Sequence, residues 1–171
     1  MKALLSIIFL MQFFNLIAQT TDLNLKKQKL KAIPDSVFNQ PELKALNLSK
    51  NRIASIPREI KQLRKLEVLN VSNNELKALP NEICDLLELK ELIIYKNEIM
   101  ELPTCISKLQ NLKVIDAWAN NIDDPTLAIK ELKKLEQAEF QVNPIKQETQ
   151  NQLIELLPNT NFKFSSDCGC K

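Results

Sequence analysis

The residues best suited to chemistry in this chain are a tyrosine and a tryptophan, each the only one of its kind. Tyr95 and Trp118 are 23 positions apart. Such side chains anchor interfaces because they bury a large rigid area and keep a polar handle. Apolar and acidic residues accompany them at the same spacing: Glu91, Ile93, Val114, Asp116 and Glu139. This set predicts recognition of a ligand through apolar contact and carboxylates.

The composition argues against catalysis. The 171 residues include no histidine and one glycine, which removes the imidazole base and the glycine-rich phosphate loop. Serines and carboxylates are present, but no nucleophile and base stand at a meaningful spacing. A zinc site needs four converging ligands, and a chain with no histidine and only a two-cysteine tail gives such a site little support. We therefore expect no enzyme activity, no catalytic residue, no cofactor and no metal site.

The elements that position the aromatic residues come from a repeat of 23 residues that begins at Leu43. A Leu-x-Leu pair in each copy alternates as a short strand with both apolar residues inward. The proline that follows is pre-set for the first position of a helical turn. The first full copy runs Leu43, Leu46, Leu48, Asn51, Ile53, Ile56, Pro57, Ile60 and Leu63, and the third runs Leu89, Leu92, Ile94, Asn97, Ile99, Leu102, Pro103, Ile106 and Leu109.

These residues resemble the leucine-rich-repeat pattern L-x-x-L-x-L-x-x-N-x-L, and the continuation L-P-x-x-I-x-x-L resembles its Ras-group type. The resemblance runs from Leu23 to about Phe164. It implies an α/β leucine-rich-repeat solenoid, right-handed and curved, with a short parallel concave sheet of about six or seven strands and helical turns on the convex side. Phe162 falls one residue late, which predicts an insertion before the last strand. Pro125-Thr126 replaces a Leu-Pro pair, which predicts a looser or rerouted convex connection.

The concave face is where a solenoid of this kind presents residues that the repeat does not dictate. Neighbouring strands lie ~4.8 Å apart, so Tyr95 and Trp118 are predicted as exposed neighbours at the centre of an aromatic patch. Lys26, Lys27 and Lys50 fall toward the N-terminal end, which predicts a face polarised in charge. As an alternative, the two rings only steady the sheet as a cross-strand pair, or a terminal segment covers them.

One asparagine recurs at the same position of successive repeats, and these residues form a column along the solenoid, here called the asparagine column. It comprises Asn51, Asn74, Asn97, Asn120 and Asn143. Each strand turns toward the helical side at this position, and a side-chain amide can satisfy the backbone groups buried there. We interpret the column as structural rather than as a ligand site.

The cysteines suggest bridges if the chain is exported. Cys84 and Cys105 adjoin the inward isoleucines of consecutive repeats, so a Cys84–Cys105 disulfide is feasible, with two free thiols as the alternative. Cys168 and Cys170 lie in the tail, where a local Cys168–Cys170 bridge, an intermolecular bridge and disorder all remain open.

The first residues predict export. Lys2 precedes a short apolar run from Ala3 to Phe14, and the small residue Ala18 follows after a polar break, which is typical of a secretory signal cleaved after Ala18. An uncleaved membrane anchor is the alternative, but the run is short for a span. The predicted segments are 1–18, a signal peptide; 19–42, an N-terminal capping repeat; 43–134, four 23-residue repeats; 135–165, a C-terminal repeat, helix and terminal strand; and 166–171, a Cys-Gly-Cys tail.

The expected function is therefore that of a secreted or periplasmic binding module, similar to exported bacterial members of the family. Its partner is predicted to be a protein, a peptide or a glycan. Nucleic acid is not expected because the net charge is +2 and both signs are mixed along the chain; neither is a small-molecule substrate. A structural protein of the cell envelope is the alternative, and an intracellular signalling scaffold is a weaker one.

Overall fold

The computed structural model describes residues 21–165, and the structural statements below concern this part of the chain. The predicted signal peptide and the cysteines at 168 and 170 lie outside it. Seven strands alternate with short helices. The strands are β1 (Asp22–Asn24), β2 (Ala45–Asn47), β3 (Val68–Asn70), β4 (Glu91–Ile93), β5 (Val114–Asp116), β6 (Gln137–Glu139) and β7 (Asn161–Lys163).

The strands form one parallel sheet in chain order, from β1 to β7. Each central residue pairs with the central residue of the next repeat, as Leu46 does with Leu69 and Leu69 with Leu92. At the last step Ala138 pairs with Phe162, so the predicted one-residue insertion lies between β6 and β7. The fold is the leucine-rich-repeat solenoid that the sequence predicted.

The segments between the strands are helical turns of two kinds. Four are 3-10 helices, at Asp35–Val37, Arg58–Gln62, Asn81–Asp85 and Thr104–Lys108, and each follows a proline. Two are α-helices, α1 (Thr126–Ile129) and α2 (Gln147–Leu156). No helix in residues 21–165 has both the length and the apolar character to cross a membrane.

The fourth full repeat takes a different path, but not a loose one. There α1 replaces the 3-10 helix, and the Asp124 carboxylate accepts a hydrogen bond of 2.8 Å from the Thr126 backbone N–H. Thr126, Ala128 and Ile129 are buried. Of the two predicted alternatives, the structure has the rerouted connection, because a helical turn that follows the Asp124 turn bond buries these side chains without the Leu-Pro pair.

The core lies between the sheet and the helical turns. The inward leucines and isoleucines of the middle repeats are almost completely buried. Ala117 stands where a leucine is expected, and the larger Phe140 occupies the same position one repeat later; both are buried. The Phe140 ring stacks on Phe164 at 6.3 Å between centroids. A large residue beside a small one thus keeps the core filled at this point.

Candidate functional site

A turn bond made by a side-chain oxygen recurs at the ends of four strands, one of which leads into Trp118. The side-chain oxygens of Asn24, Asn47 and Asn70 each accept a hydrogen bond from the backbone N–H two residues on, at 3.0 to 3.1 Å. Asp116 accepts the corresponding bond from the Trp118 N–H at 3.3 Å. This turn needs a side-chain oxygen at that position, and either an amide or a carboxylate can supply it.

The third residue after each of the strands β1 to β6 has a left-handed backbone. Its φ lies between 51° and 61° in six consecutive repeats, although none of these residues is glycine: Lys27, Lys50, Asn73, Lys96, Ala119 and Val142. This conformation lets the N–H reach the next repeat, as Asn73 N–H does to the Tyr95 carbonyl at 2.9 Å and Lys96 N–H to the Trp118 carbonyl at 2.8 Å. The backbone of both aromatic residues is therefore held by neighbouring repeats.

The two aromatic rings touch and are partly buried. Their centroids are 6.0 Å apart and their planes are tilted by 49°. The Lys96 ammonium lies over the Trp118 ring at 4.7 Å from its centroid, within the range of a cation–π interaction. The prediction that both rings are exposed is wrong, because each ring shields the other and Lys96 shields Trp118.

An open groove of about 340 Å³ runs along this face. Its walls are Lys50, Asn73, Tyr95, Lys96, Asp116, Trp118 and Glu139. Four of the predicted ligand-binding residues are therefore brought together. Glu91, Ile93 and Val114 lie on β4 and β5, are partly buried, and do not line the groove.

Lysines and carboxylates share the groove, so the predicted separation of charge along the face is wrong at this place. Lys50 and Lys96 line the same walls as Asp116 and Glu139. Sequence reasoning missed Asn73 and Lys96 as lining residues. Their sequence positions could have indicated this, because Lys96 directly follows Tyr95 and Asn73 is the equivalent residue one repeat earlier. Both have the left-handed backbone described above.

The two acidic residues of the groove differ in their partners. Glu139 accepts a hydrogen bond from the Lys163 ammonium at 2.6 Å, and this bond holds the pKa of the Glu139 carboxyl below its usual value. Burial raises the pKa of Asp116, and the nearby Glu139 charge adds to the effect; the Trp118 N–H and Lys163 oppose it. Within residues 21–165, Asp116 forms no ion pair.

The asparagine column binds consecutive turns to each other. Asn97 donates from its amide to the Val71 carbonyl at 3.1 Å and the Ile94 carbonyl at 2.8 Å, and accepts from the Leu76 N–H at 3.1 Å. Equivalent contacts are made by Asn51, Asn74, Asn120 and Asn143. These contacts support a structural role, since they satisfy buried backbone groups of two repeats at once.

Cys84 and Cys105 are joined by a disulfide, with their Cα atoms 5.8 Å apart. It links the helical turns of adjacent repeats, away from the groove. In the part of the chain that the structure describes, no group of three or more cysteine, aspartate or glutamate side chains could hold a metal ion.

Comparison with known proteins agrees with this architecture. A family model described as a leucine-rich repeat region matches residues 19–162. The chain therefore belongs to the leucine-rich-repeat family, whose extended surfaces are typically used for non-catalytic binding. No curated protein gives a significant match.

Similar solved structures come from bacteria and eukaryotes. A leucine-rich-repeat protein of Leptospira interrogans is 32% identical with a TM-score of 0.81, over 84% of this chain and 36% of that one. The ectodomain of the Arabidopsis thaliana receptor kinase GASSHO1/SCHENGEN3, solved with Casparian strip integrity factor 2, is 26% identical with a TM-score of 0.62, over 78% of this chain and 16% of that one.

The leucine-rich-repeat domain of APL1B shares only the fold, at 17% identity and a TM-score of 0.68, over 80% of this chain and 41% of that one. This chain thus spans well under half the length of each of these three relatives.

Proposed function

We propose that this protein is a non-catalytic binding module that recognises a macromolecule through the groove around Tyr95 and Trp118. One observation carries the proposal: two adjoining aromatic rings are presented beside carboxylates and lysines in an open groove. Partly buried aromatic side chains in an open groove can still contact a partner over their accessible faces and edges while their polar atoms remain available. Of a protein, a peptide and a glycan, we favour a protein or peptide.

The comparison with the plant ectodomain supports this choice, because that structure contains a bound factor. The repeat fold offers a rigid concave surface, and the outward-facing strand residues on it are not required for the core. Tyr95 and Trp118 are held by backbone bonds to neighbouring repeats, so little order has to be imposed on them when a partner binds.

The test is capture of the native partner by the purified full chain, with the bound molecule identified by mass spectrometry. Tyr95→Ala with Trp118→Ala is expected to abolish capture, because the apolar anchor of the groove is removed. Met100→Ala with Leu127→Ala is the matched control, since both residues are exposed apolar side chains that do not line the groove. Equal capture by both double variants would contradict the proposal, provided that both unfold at the temperature of the unmodified chain to within a few degrees.

We further propose that the protein acts outside the cytoplasm, secreted or in the periplasm, after cleavage behind Ala18. The Cys84–Cys105 disulfide supports an oxidising compartment. Intact-mass analysis of the native protein should give a chain that begins at Gln19. A chain retaining Met1 and found in membranes would favour the alternative, an anchored structural protein of the envelope.

A further inference from the structure

Asp116 does more than its position in the fold requires. In three other repeats an asparagine makes the same turn bond, at Asn24, Asn47 and Asn70. One side-chain oxygen is enough for that bond, and a neutral amide supplies it without burying a charge. The second carboxylate oxygen of Asp116, and its negative charge, are therefore not needed for the turn.

The charge of Asp116 is also left without a cation in the described part of the chain. Lys163, the cation that lowers its pKa, is hydrogen-bonded to Glu139 instead. Lys96 holds its ammonium over the Trp118 ring. Within residues 21–165, a partly buried carboxylate thus faces the groove beside an aromatic ring without forming an ion pair, a costly arrangement for the free protein.

We infer that the groove binds an arginine side chain of a protein partner, with the guanidinium on the Asp116 carboxylate and its flat face on the Tyr95 ring, because the Lys96 ammonium already lies over the Trp118 ring. This inference rests on the proposed function and names the chemistry of its partner. A guanidinium is planar and weakly hydrated, so it can stack on an aromatic ring and donate to a carboxylate at the same time.

The lysines of the groove add a second requirement. Lys50 and Lys96 line the walls, and neither is within ion-pair distance of a carboxylate in residues 21–165. A segment with several cations would be repelled by them, whereas an acidic residue next to the arginine would be attracted. The preferred partner segment therefore pairs one arginine with a neighbouring aspartate or glutamate.

The single tryptophan gives a direct readout of this site. Because Trp118 is the only tryptophan, its indole N–H signal in an NMR spectrum of the labelled full chain reports on the groove alone. The probes are the capped dipeptide N-acetyl-Arg-Glu-amide and the same dipeptide with citrulline, the neutral isostere of arginine, or with lysine. We expect a saturable shift of the indole signal with the arginine probe, and binding at least about tenfold weaker with citrulline.

Asp116→Asn is the decisive variant, because asparagine preserves the turn bond and removes only the charge. It should weaken binding of the arginine probe at least about tenfold and leave the rest of the spectrum in place. Glu101→Gln is the matched control, as it removes an exposed carboxylate that does not line the groove; it should bind the probe as the unmodified chain does.

Several results would overturn the inference. These are the absence of a saturable shift, equal binding of the citrulline and arginine probes, preference for the lysine probe, and unchanged binding by Asp116→Asn. Maltohexaose and chitohexaose are tested alongside. If one of them shifts the indole signal equally in the unmodified chain and in Asp116→Asn, while the arginine probe does not, the groove is a glycan site and the arginine inference fails, although the proposed binding function stands. Undiminished partner capture after removal of both rings would refute the proposed function itself.

Discussion

At the scale of single residues, Asp116 combines a structural bond with a charge that the fold does not use. Its carboxylate accepts the Trp118 N–H, as asparagines do at other strand ends. Burial raises the pKa of this carboxyl, so the folded state disfavours the ionised form. Stability is thereby reduced where the group is ionised, and the loss is relieved as the pH falls through the raised pKa.

We accordingly expect Asp116→Asn to be more stable than the unmodified chain at neutral pH. The difference should shrink as the pH is lowered through the pKa of Asp116, because the unmodified carboxyl then becomes neutral as well. Thermal unfolding of both chains across the acidic range measures this. Glu139 and Lys163, which also act on Asp116, are the same in both chains. A variant that is less stable at neutral pH, with the deficit vanishing in acid, would show that the charge itself supports the fold.

At the scale of elements, the strand is a minor part of each repeat. Every strand has three residues, and the turns behind them make the bonds that keep the repeats in register. Asn120 is the most buried of the asparagines in that column. Its amide donates to the carbonyls of Ile94 and Ala117 and accepts from the Ile99 N–H, at 3.0 to 3.1 Å.

Asn120→Ala should therefore lower the free energy of unfolding by about 2–4 kcal/mol, since three buried backbone groups lose their partner. Urea unfolding followed by circular dichroism gives the value. Asn121→Ala, at the exposed position next to it, should change the stability by no more than about 0.5 kcal/mol. Similar effects of the two substitutions would argue against the structural interpretation of the column.

At the scale of the whole molecule, the solenoid is held together by contacts between neighbours. Each interior strand pairs with the one before and the one after it, so a covalent link between two adjacent repeats stabilises the array at that point. The Cys84–Cys105 disulfide is such a link, and it closes a loop with a sequence separation of 21 residues.

Cys84→Ala with Cys105→Ala is expected to cost about 3 kcal/mol of stability, since the unfolded chain regains the freedom of that loop. Calorimetry with and without a reductant measures the change. The double variant should be insensitive to the reductant, whereas a variant with Cys168→Ser and Cys170→Ser should remain as sensitive as the unmodified chain. If the variant with Cys168→Ser and Cys170→Ser lost its sensitivity to the reductant, the stabilising disulfide would not be Cys84–Cys105.

The fold followed from the sequence because a repeat encodes its structure locally. Leu46, Leu69 and Leu92 recur at one spacing, and burying them requires the same strand and turn each time. The late Phe162 likewise revealed the insertion before β7. The neighbourhood of Tyr95 and Trp118 was predictable for the same reason, since a fixed period places equivalent residues side by side.

Only the tertiary structure decided what the groove contains and how exposed it is. The left-handed residues after the strands include Lys50 and Lys96, which line the same groove as Asp116, a geometry that no periodic pattern of apolar residues expresses. The burial of the two rings depends on their mutual tilt and on Lys96. The sequence by itself determined the repeat array and the position of each residue within its repeat, because both follow from the burial of apolar side chains at a constant spacing. Contacts between side chains at different repeat positions depend on the conformation of the turns, and only the tertiary structure shows them.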